Sequence, residues 1–323
     1  MDVISKEVLS SLKIGSSLSG ILLMSNYETK QTKGGKPYFT GEISNKISVS
    51  FKCWDSSDAF KQLKAYNFVG KVVAITASIQ DYSGQPSVVL TGITAVEGYT
   101  PDQFVIDRYP VEQYWEMFKT TLYGALSDKG KQVADMFFTP EVIERFKIEY
   151  AASYWHDNCK GGLLAHSYRM LCLSIWVSQV YPETLKNIDI ENGELIDSAD
   201  RRDLLFLGVA MHDIGKIDEL ELGVYTTNSF VTHRFFGAEK VTENKAKLVE
   251  LYGDSWYYAL ISVMLQHHGE FDDECRTVSA YIVHLLDMLD CSLTGLKQRI
   301  ESERIVSQNS ITVKADDFRL TVI

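Results

Sequence analysis

The 323 residues are 45% apolar and 23% charged, ordinary for a folded globular protein and enough for about two domains. No apolar run approaches the ~20 residues of a membrane-spanning helix, which argues against a helical membrane protein. A formal net charge of −11 excludes a uniformly basic nucleic-acid binder, but the charge is uneven: residues 1–97 carry ten Lys, no Arg and eight acidic residues, leaving a net −13 on the remainder.

Five cysteines, Cys53, Cys159, Cys172, Cys275 and Cys291, are scattered and odd in number, with no CxxC pair. The first residues, MDVISKEVLSSLK, lack an apolar signal core. The expectation is reduced thiols in a soluble cytoplasmic protein.

Taken in chain order, residues 18–24 are a short apolar run, and 38–43 and 47–54 alternate. Residues 72–79 and 87–94 follow, separated by a turn at 82–85. Residues 57–66, between the third and fourth strands, read as a helix capped by Ser56 or Ser57. Five strands with a helix in that place is the order of an OB-type β-barrel, assigned to residues 1–97. Such surfaces hold single strands by stacking bases on aromatic rings and tracking phosphates with Lys. The candidates are Tyr38, Phe39, Trp54 and Tyr82, with Lys30, Lys33, Lys36 and Lys52. Half of a barrel's aromatic residues face its core, so each is as readily structural. Trp54 alternates away from Phe51, which places it outside. The lysine-rich stretch 30–36 reads as a mobile turn, able to grip phosphate or simply to lie solvated.

Residues 98–110 carry two prolines and no period, and read as a linker. Helices are expected over 112–126 and 130–137, and another from Thr139-Pro140-Glu141 to Tyr150, with Thr as cap and Pro in the first turn. His156-Asp157 follow, with His156 either a helix-end hydrogen bonder or a substrate contact. Gly161-Gly162 allow a close turn into a helix over 163–180 that carries His166 on its first turn. The polar, acidic insert 181–199 turns at Asn192-Gly193 and belongs on the surface. A helix over 203–214 ends at His212-Asp213 in MHDIGK, where Gly215 breaks it and Lys216 follows.

A further helix over 236–252 follows His233, and another from Asp254 to Gln266 delivers His267 and His268. Adjacent helical residues point about 100° apart, so both reach one ion only if the helix frays at Gly269. Glu270 is placed to orient one of them. The helix over 278–293 carries Asp287 and Asp290 on one face, with His284 a turn earlier as a core or surface residue. The tail holds one alternating run, Ile311–Ala315.

Divalent ions such as Mn, Fe or Ni take mixed imidazole and carboxylate ligands, and the absence of thiolates from the set argues against a structural zinc cage. Asp213 is able to bridge two ions. Two ions about 3.5–4 Å apart activate a water and steady the entering and leaving oxygens of an in-line displacement at phosphorus. A lone His-Asp pair at a helix end would read as a structural hydrogen bond. In the company of His166, His233, His267, His268 and Asp287 it reads as a metal centre. Lys216 is a candidate for offsetting charge on the phosphate, or a surface lysine near an acidic cluster.

The order His166, His212-Asp213, Asp287 resembles the HD superfamily of metal-dependent phosphohydrolases. His233 with His267-His268 resembles the second-metal set of its two-metal members. GGLLAHS (161–167), HDIGK, TTNSFVTH (226–233) and HHGE (267–270) stand behind a region containing GKPYFTGEIS and FKCWD. Together they resemble the YhaM-type 3'→5' exoribonucleases over about residues 13–300. The chain departs from that pattern at 44–46, where an Asp-x-Thr-Gly turn is usual, at Asp157, where the family has a second His, and at Thr232, where Gly is common. The resemblance implies one ion on His166, His212, Asp213 and Asp287. It implies another on Asp213, His233 and one or both of His267 and His268. Mn is the first choice, with Fe, Ni, Co or Mg compatible.

The resulting reading is a multidomain α+β chain. An OB-type barrel (1–97) is followed by a helical connector (98–160), an all-α HD domain (161–300) and a tail (301–323). Its expected function is metal-dependent 3'→5' exonuclease action on single-stranded RNA, or single-stranded DNA, releasing nucleoside monophosphates. Asp213 and Lys216 would be catalytic, and Lys33, Lys36, Tyr38, Lys52 and Trp54 would bind nucleic acid. Polarity and RNA preference come from the resemblance alone, and a homo-oligomer is compatible with it. The competing enzyme reading is an HD phosphohydrolase for a small nucleotide or cyclic dinucleotide, which has no need of a stacking barrel. A binding protein with a relic metal site is the third, disfavoured by the intact ligand set.

Overall fold

The computed structural model describes the chain apart from residues 154, 155, 190, 192, 272, 304–310, 316, 317 and 323. It divides into two compact units, Met1–Asp107 and Arg108–Ile323.

In the first unit, β1 (Ser17–Gln31), β2 (Pro37–Ser44), β3 (Ser48–Trp54), β4 (Lys71–Tyr82) and β5 (Gln85–Ala95) form a closed barrel in the order β1-β2-β3-β5-β4. The long β1 serves two neighbours. Its first half pairs with β4, from Ser17↔Ser78 to Met24↔Lys71, and its second half with β2, from Leu23↔Ser44 to Gln31↔Pro37. A register shift between Met24 and Asn26 bends the strand from one partner to the other. Strict alternation sorts the faces: Phe51 and Cys53 join Leu22, Ile43, Ile75, Ile79 and Leu90 in the core, while Lys52 and Trp54 point out. The β4–β5 hairpin turns through left-handed backbone at Ser83 (φ 56°) and Gly84 (φ 82°), the twist that matches the flanking strands. Helix α2 (Asp58–Ala65) is capped by the Ser57 hydroxyl, which accepts from the Phe60 N–H, and it buries Ala59 and Leu63.

Three expectations change here. A short helix α1 (Lys6–Ser10) precedes the barrel, too brief to leave a period in the sequence. The lysine-rich stretch is a tight turn. Lys30 lies in β1 opposite Tyr38, and the Thr32 hydroxyl and carbonyl bind the Lys36 and Gly35 N–H groups. Within the expected linker, Phe104, Val105 and Ile106 are buried, and the Phe104 carbonyl accepts from the N–H of Lys46.

The second unit is helical: α3 (Val111–Ala125), α4 (Asp128–Phe137), α5 (Pro140–Ile148), α6 (Gly162–Val180), α7 (Ala199–Met211), α8 (Lys216–Glu219), α9 (His233–Glu243), α10 (Lys245–Tyr252), α11 (Asp254–Gln266) and α12 (Val278–Glu303). Two-residue strand pairs occur at Asn187–Ile188 with Leu195–Ile196 and at Leu220–Glu221 with Val224–Tyr225. The run Ile311–Ala315 forms a strand paired with Phe318–Val322. Helix α7 is the axis. It is buried on every side from Asp203 to Met211, as a helix without a polar face must be, and packs against α3, α6, α11 and α12. It starts four residues earlier than its period suggests, because the Ser198 hydroxyl caps it at the Arg201 N–H. The expected helix over 236–252 breaks at Asn244 into α9 and α10. The insert 181–199 is largely exposed; Asn192 of its expected turn lies outside the described residues, and Gly193 has φ 74°. Among the described residues no helix is long and apolar enough to cross a membrane.

Gly215, which caps α8, lies at backbone distance from α9. A Cβ there would lie 2.0 Å from the His233 carbonyl oxygen and 2.7 Å from the Gly237 nitrogen. Both neighbours are backbone, so Gly215→Ala forces α9 outward. The expected outcome is a loss of about 1–3 kcal/mol in stability, the usual range for overpacking, read by denaturant or thermal unfolding. An unchanged midpoint would show that α9 is free to move.

Candidate functional site

Helix α7 runs out of hydrogen-bonded turns at Met211, and His212 and Asp213 follow it into the middle of the second unit. Both are buried. The Asp213 carboxylate faces two ways. Its Oδ2 lies 3.3 Å from His212 Nε2 and 3.8 Å from His166 Nε2, and Asp287 Oδ1 is 3.3 Å from that same His166 nitrogen. Its Oδ1 lies 3.4 Å from His233 Nε2 and 3.7 Å from His267 Nε2. His268 joins the second side: the candidate ligand atoms of His233, His267 and His268 all lie within 4.8 Å of one another, as do those of His166, His212 and Asp287. His267 is the C-cap of α11, and the chain turns at Gly269 with φ 59°, so two adjacent histidines reach one cluster.

The other ring nitrogens are committed outward. His166 Nδ1 donates to Asp290 Oδ2 at 2.8 Å, and His233 Nδ1 to Glu219 Oε2 at 2.8 Å. His212 Nδ1 donates to the Val209 carbonyl at 2.8 Å, and His267 Nδ1 to the Met264 carbonyl at 3.0 Å. Every one of these partners can only accept, so each imidazole commits its Nδ1–H outward and directs its Nε2 inward. Among the described residues, Asp213 Oδ1, His233 Nε2 and His267 Nε2 are buried without a hydrogen-bond partner. Orphaned acceptors aimed at a common point are what a divalent cation satisfies, and the imidazole–carboxylate set fits Mn, Fe, Co, Ni or Zn.

The protonation pattern agrees. His166 and His212 bring Nε2 atoms within 3.2 Å, which requires a cation between them or on one of them. Burial pushes the His166 imidazolium down, but Asp287 and Asp290 outweigh it and raise its pKa to about 10. Burial would raise the carboxyl of Asp213, yet Lys216, His212 and His233 hold it well below the usual range. His166 and His212 do the same for Asp287. His267 is pushed well down by burial and by its neighbours His212 and His268.

Lys216 is drawn into this centre. Its Nζ donates to Asp213 Oδ2 at 2.7 Å and to the Ala151 carbonyl. Glu270 is exposed, and the orienting carboxylates are instead Glu219 and Asp290. His284 binds the His267 carbonyl through Nδ1 at 3.0 Å. Asp290 also takes both Arg169 Nε and Nη2, at 2.7 Å each. Arg169 in turn reaches Asp157, which accepts from the Tyr109 hydroxyl as well. Burial opposes the charge on Asp157, but His156, Arg169 and Tyr109 hold its carboxyl down.

On the barrel, Tyr38 and Trp54 are cross-strand partners with ring centroids 5.1 Å apart, both half-buried on the outer face. Lys52 shares that face and lies 3.6 Å from the ring centroid of Tyr82, itself 62% exposed. Lys33 and Lys36 are exposed in the tight β1–β2 turn. Phe39 packs inward against Tyr27 and Phe60 at 7% exposure, which removes it from the stacking candidates.

Residues 163–291 match the HD domain family. The 3'-5' exoribonuclease YhaM of Listeria monocytogenes is 25% identical over 296 residues, 87% of either chain. YhaM of Bacillus subtilis is 25% identical over 304 residues, 90% of this chain and 89% of its own. The chain resembles the YhaM-type exoribonucleases along nearly nine-tenths of its length. The mitochondrial single-stranded DNA-binding protein Rim1 of S. cerevisiae aligns with 27% of this chain and 97% of its own at 16% identity, with a TM-score of 0.23, too slight a likeness to argue from.

Glu219 and Arg169 are the residues that motif reading passes over, and Asp290, expected only to share a face with Asp287, is the partner of His166. Glu219 sits six residues past Asp213, and only the fold brings it to His233. Two measurements follow. Glu219→Gln or Asp290→Asn should weaken divalent-ion binding about 10- to 100-fold while leaving secondary structure intact, read by metal titration. In the metal-free protein His166 holds a proton below about pH 10, and metal uptake must displace it. Ion affinity should therefore rise with pH across the neutral range, with proton release seen as a buffer-dependent heat in calorimetry; a pH-independent affinity contradicts the protonated state.

Proposed function

We propose that the chain is a metal-dependent exoribonuclease that shortens single-stranded RNA from its 3' end and releases nucleoside monophosphates. The observation that carries this reading is the two-sided Asp213 carboxylate between two imidazole-rich donor sets. The relatives named 3'-5' exoribonuclease YhaM, matching across nearly nine-tenths of the chain, support the substrate and the polarity.

His166, His212, Asp213 and Asp287 would hold one ion, and Asp213, His233, His267 and His268 the other. Two divalent ions, when bound, supply Lewis acidity that activates water and neutralises charge developing on the phosphoryl oxygens. The chain's own residues do the rest. The outward Nδ1 bonds fix the tautomers, so that the site is preorganised. Lys216 holds Asp213 Oδ2 and adds a positive charge beside the reacting phosphate. Water adds to phosphorus and the leaving 3' oxygen takes a proton, so each cycle frees one 5' mononucleotide. Bases stack on Tyr38 and Trp54, while Lys52, Lys33 and Lys36 follow the phosphates.

The test is a 5'-labelled single-stranded RNA incubated with Mn and either the native chain or Asp213→Ala. A ladder that recedes from the 3' end, abolished in the variant, is expected. Intact RNA beside metal-loaded native protein would sink the reading and turn attention to small cyclic or messenger nucleotides. Trp54→Ala should cost about 1–3 kcal/mol of RNA affinity, raising KM on long substrates with little change in kcat. A kcat effect alone would remove Trp54 from the binding face.

A further inference from the structure

Three histidines of the second unit share one device: an Nδ1–H turned toward a carboxylate. His166 uses Asp290 and His233 uses Glu219. The third is His156, whose Nδ1 faces Asp157 Oδ2 at 3.4 Å. Asp157 is fully buried, takes a left-handed backbone (φ 51°) that few side chains tolerate, and is held there by Arg169 and Tyr109. The ring of His156 therefore has the same kind of buried carboxylate partner as His166 and His233, at a longer distance. Its Nε2, however, does not face Asp213. It faces Cys291 Sγ at 2.8 Å.

Cys291 lies one helical turn after Asp287 on α12, so the two share a face, and its Sγ stands 3.1 Å from Asp287 Oδ1. The ligand atoms of His156, His166 and Cys291 all lie within 4.8 Å of one another. The imidazole of His156 and the thiol of Cys291 thus stand beside the first donor set without belonging to it, and Asp287 of that set touches the thiol. We propose that His156 Nε2 and Cys291 Sγ form the core of an additional ion position, which Asp287 Oδ1 completes by shifting towards them from beside the thiol, selective for thiophilic divalent ions of the Zn2+ or Cd2+ class.

Selectivity follows from the donor types. Hard ions have no use for sulfur, whereas Zn2+ and Cd2+ prefer a thiolate with an imidazole. Zinc bonds of about 2.0 Å to nitrogen and 2.3 Å to sulfur set two tetrahedral ligands roughly 3.5 Å apart, so the His156–Cys291 pair opens by less than about 1 Å. On binding, the S–H bond breaks, the proton passes to solvent and a metal–sulfur bond forms; no electron changes hands. Because Asp287 is also assigned to the first ion, occupancy here draws that carboxylate away. A thiophilic ion then inhibits the enzyme, and this consequence alone rests on the exoribonuclease reading.

The test is Cd2+ added to the full chain already loaded with Mn, under reducing conditions. The expected result is a near-ultraviolet thiolate-to-metal absorption with one Cd2+ per chain, lost in Cys291→Ser and retained in Cys172→Ser, whose parent thiol is exposed. Should Cys291→Ser prove unstable, His156→Gln leaves the thiol in place and must weaken Cd2+ binding by at least about tenfold. No absorption in the native chain, absorption that survives Cys291→Ser, or Cd2+ affinity unchanged in His156→Gln overturns the proposal. The absorption is independent of RNA hydrolysis, so a chain without nuclease activity still tests the ion position. Should hydrolysis be present, Zn2+ inhibition must be relieved in Cys291→Ser, and persistence of equal inhibition overturns the link to Asp287.

Discussion

One carboxylate with two faces governs the second unit. Asp213 presents Oδ2 to His212 and His166 and Oδ1 to His233 and His267, and it is almost fully buried. A buried carboxylate is stable only when its charge is met. Lys216 meets part of it, and the remainder falls to whatever cation the imidazoles admit. The fold is arranged for this. Helix α7 is apolar on all sides so that its end can be sunk in the core, and Gly215 lets α9 approach until His233 reaches the same carboxylate. Glu219 and Asp290 then fix the rings that would otherwise be free to turn.

The acidity of the chain makes sense at this scale. Several carboxylates of the second unit are hidden rather than spread over a surface that RNA must approach. Asp203 is buried, taking the Ser127 N–H and hydroxyl and the Tyr252 hydroxyl. Glu149 accepts from the N–H groups of Tyr150, Leu222 and Gly223, and so ties down the hairpin that follows Glu219. Asp157 and Asp290 clamp Arg169 from two sides. Net charge counts these groups as if they faced solvent, which is why it misleads about the partner.

Much of the barrel, and of the residues gathered around Asp213, was legible in the sequence, for different reasons. The strands announce themselves by period two, since a one-residue slip would turn Phe51 out and Lys52 in. The metal-type residues announce themselves by chemistry, because histidines this concentrated are hard to explain otherwise. What escaped was set by tertiary contact. The inward turn of Phe39 depends on Tyr27 and Phe60. The closure of the β1–β2 turn depends on Thr32. The work of Glu219 and Arg169 depends on helices far apart in sequence. The break at Asn244 escaped because α9 and α10 together keep a nearly continuous apolar period.

The proposed two-ion centre depends on Asp213 as the carboxylate shared by both donor sets. Electron paramagnetic resonance of the chain loaded with Mn2+ tests it most directly, alongside the metal content. Two Mn2+ per chain with an exchange-coupled signal are expected, and an uncoupled signal in Asp213→Asn. A single, uncoupled Mn2+ per native chain would contradict it.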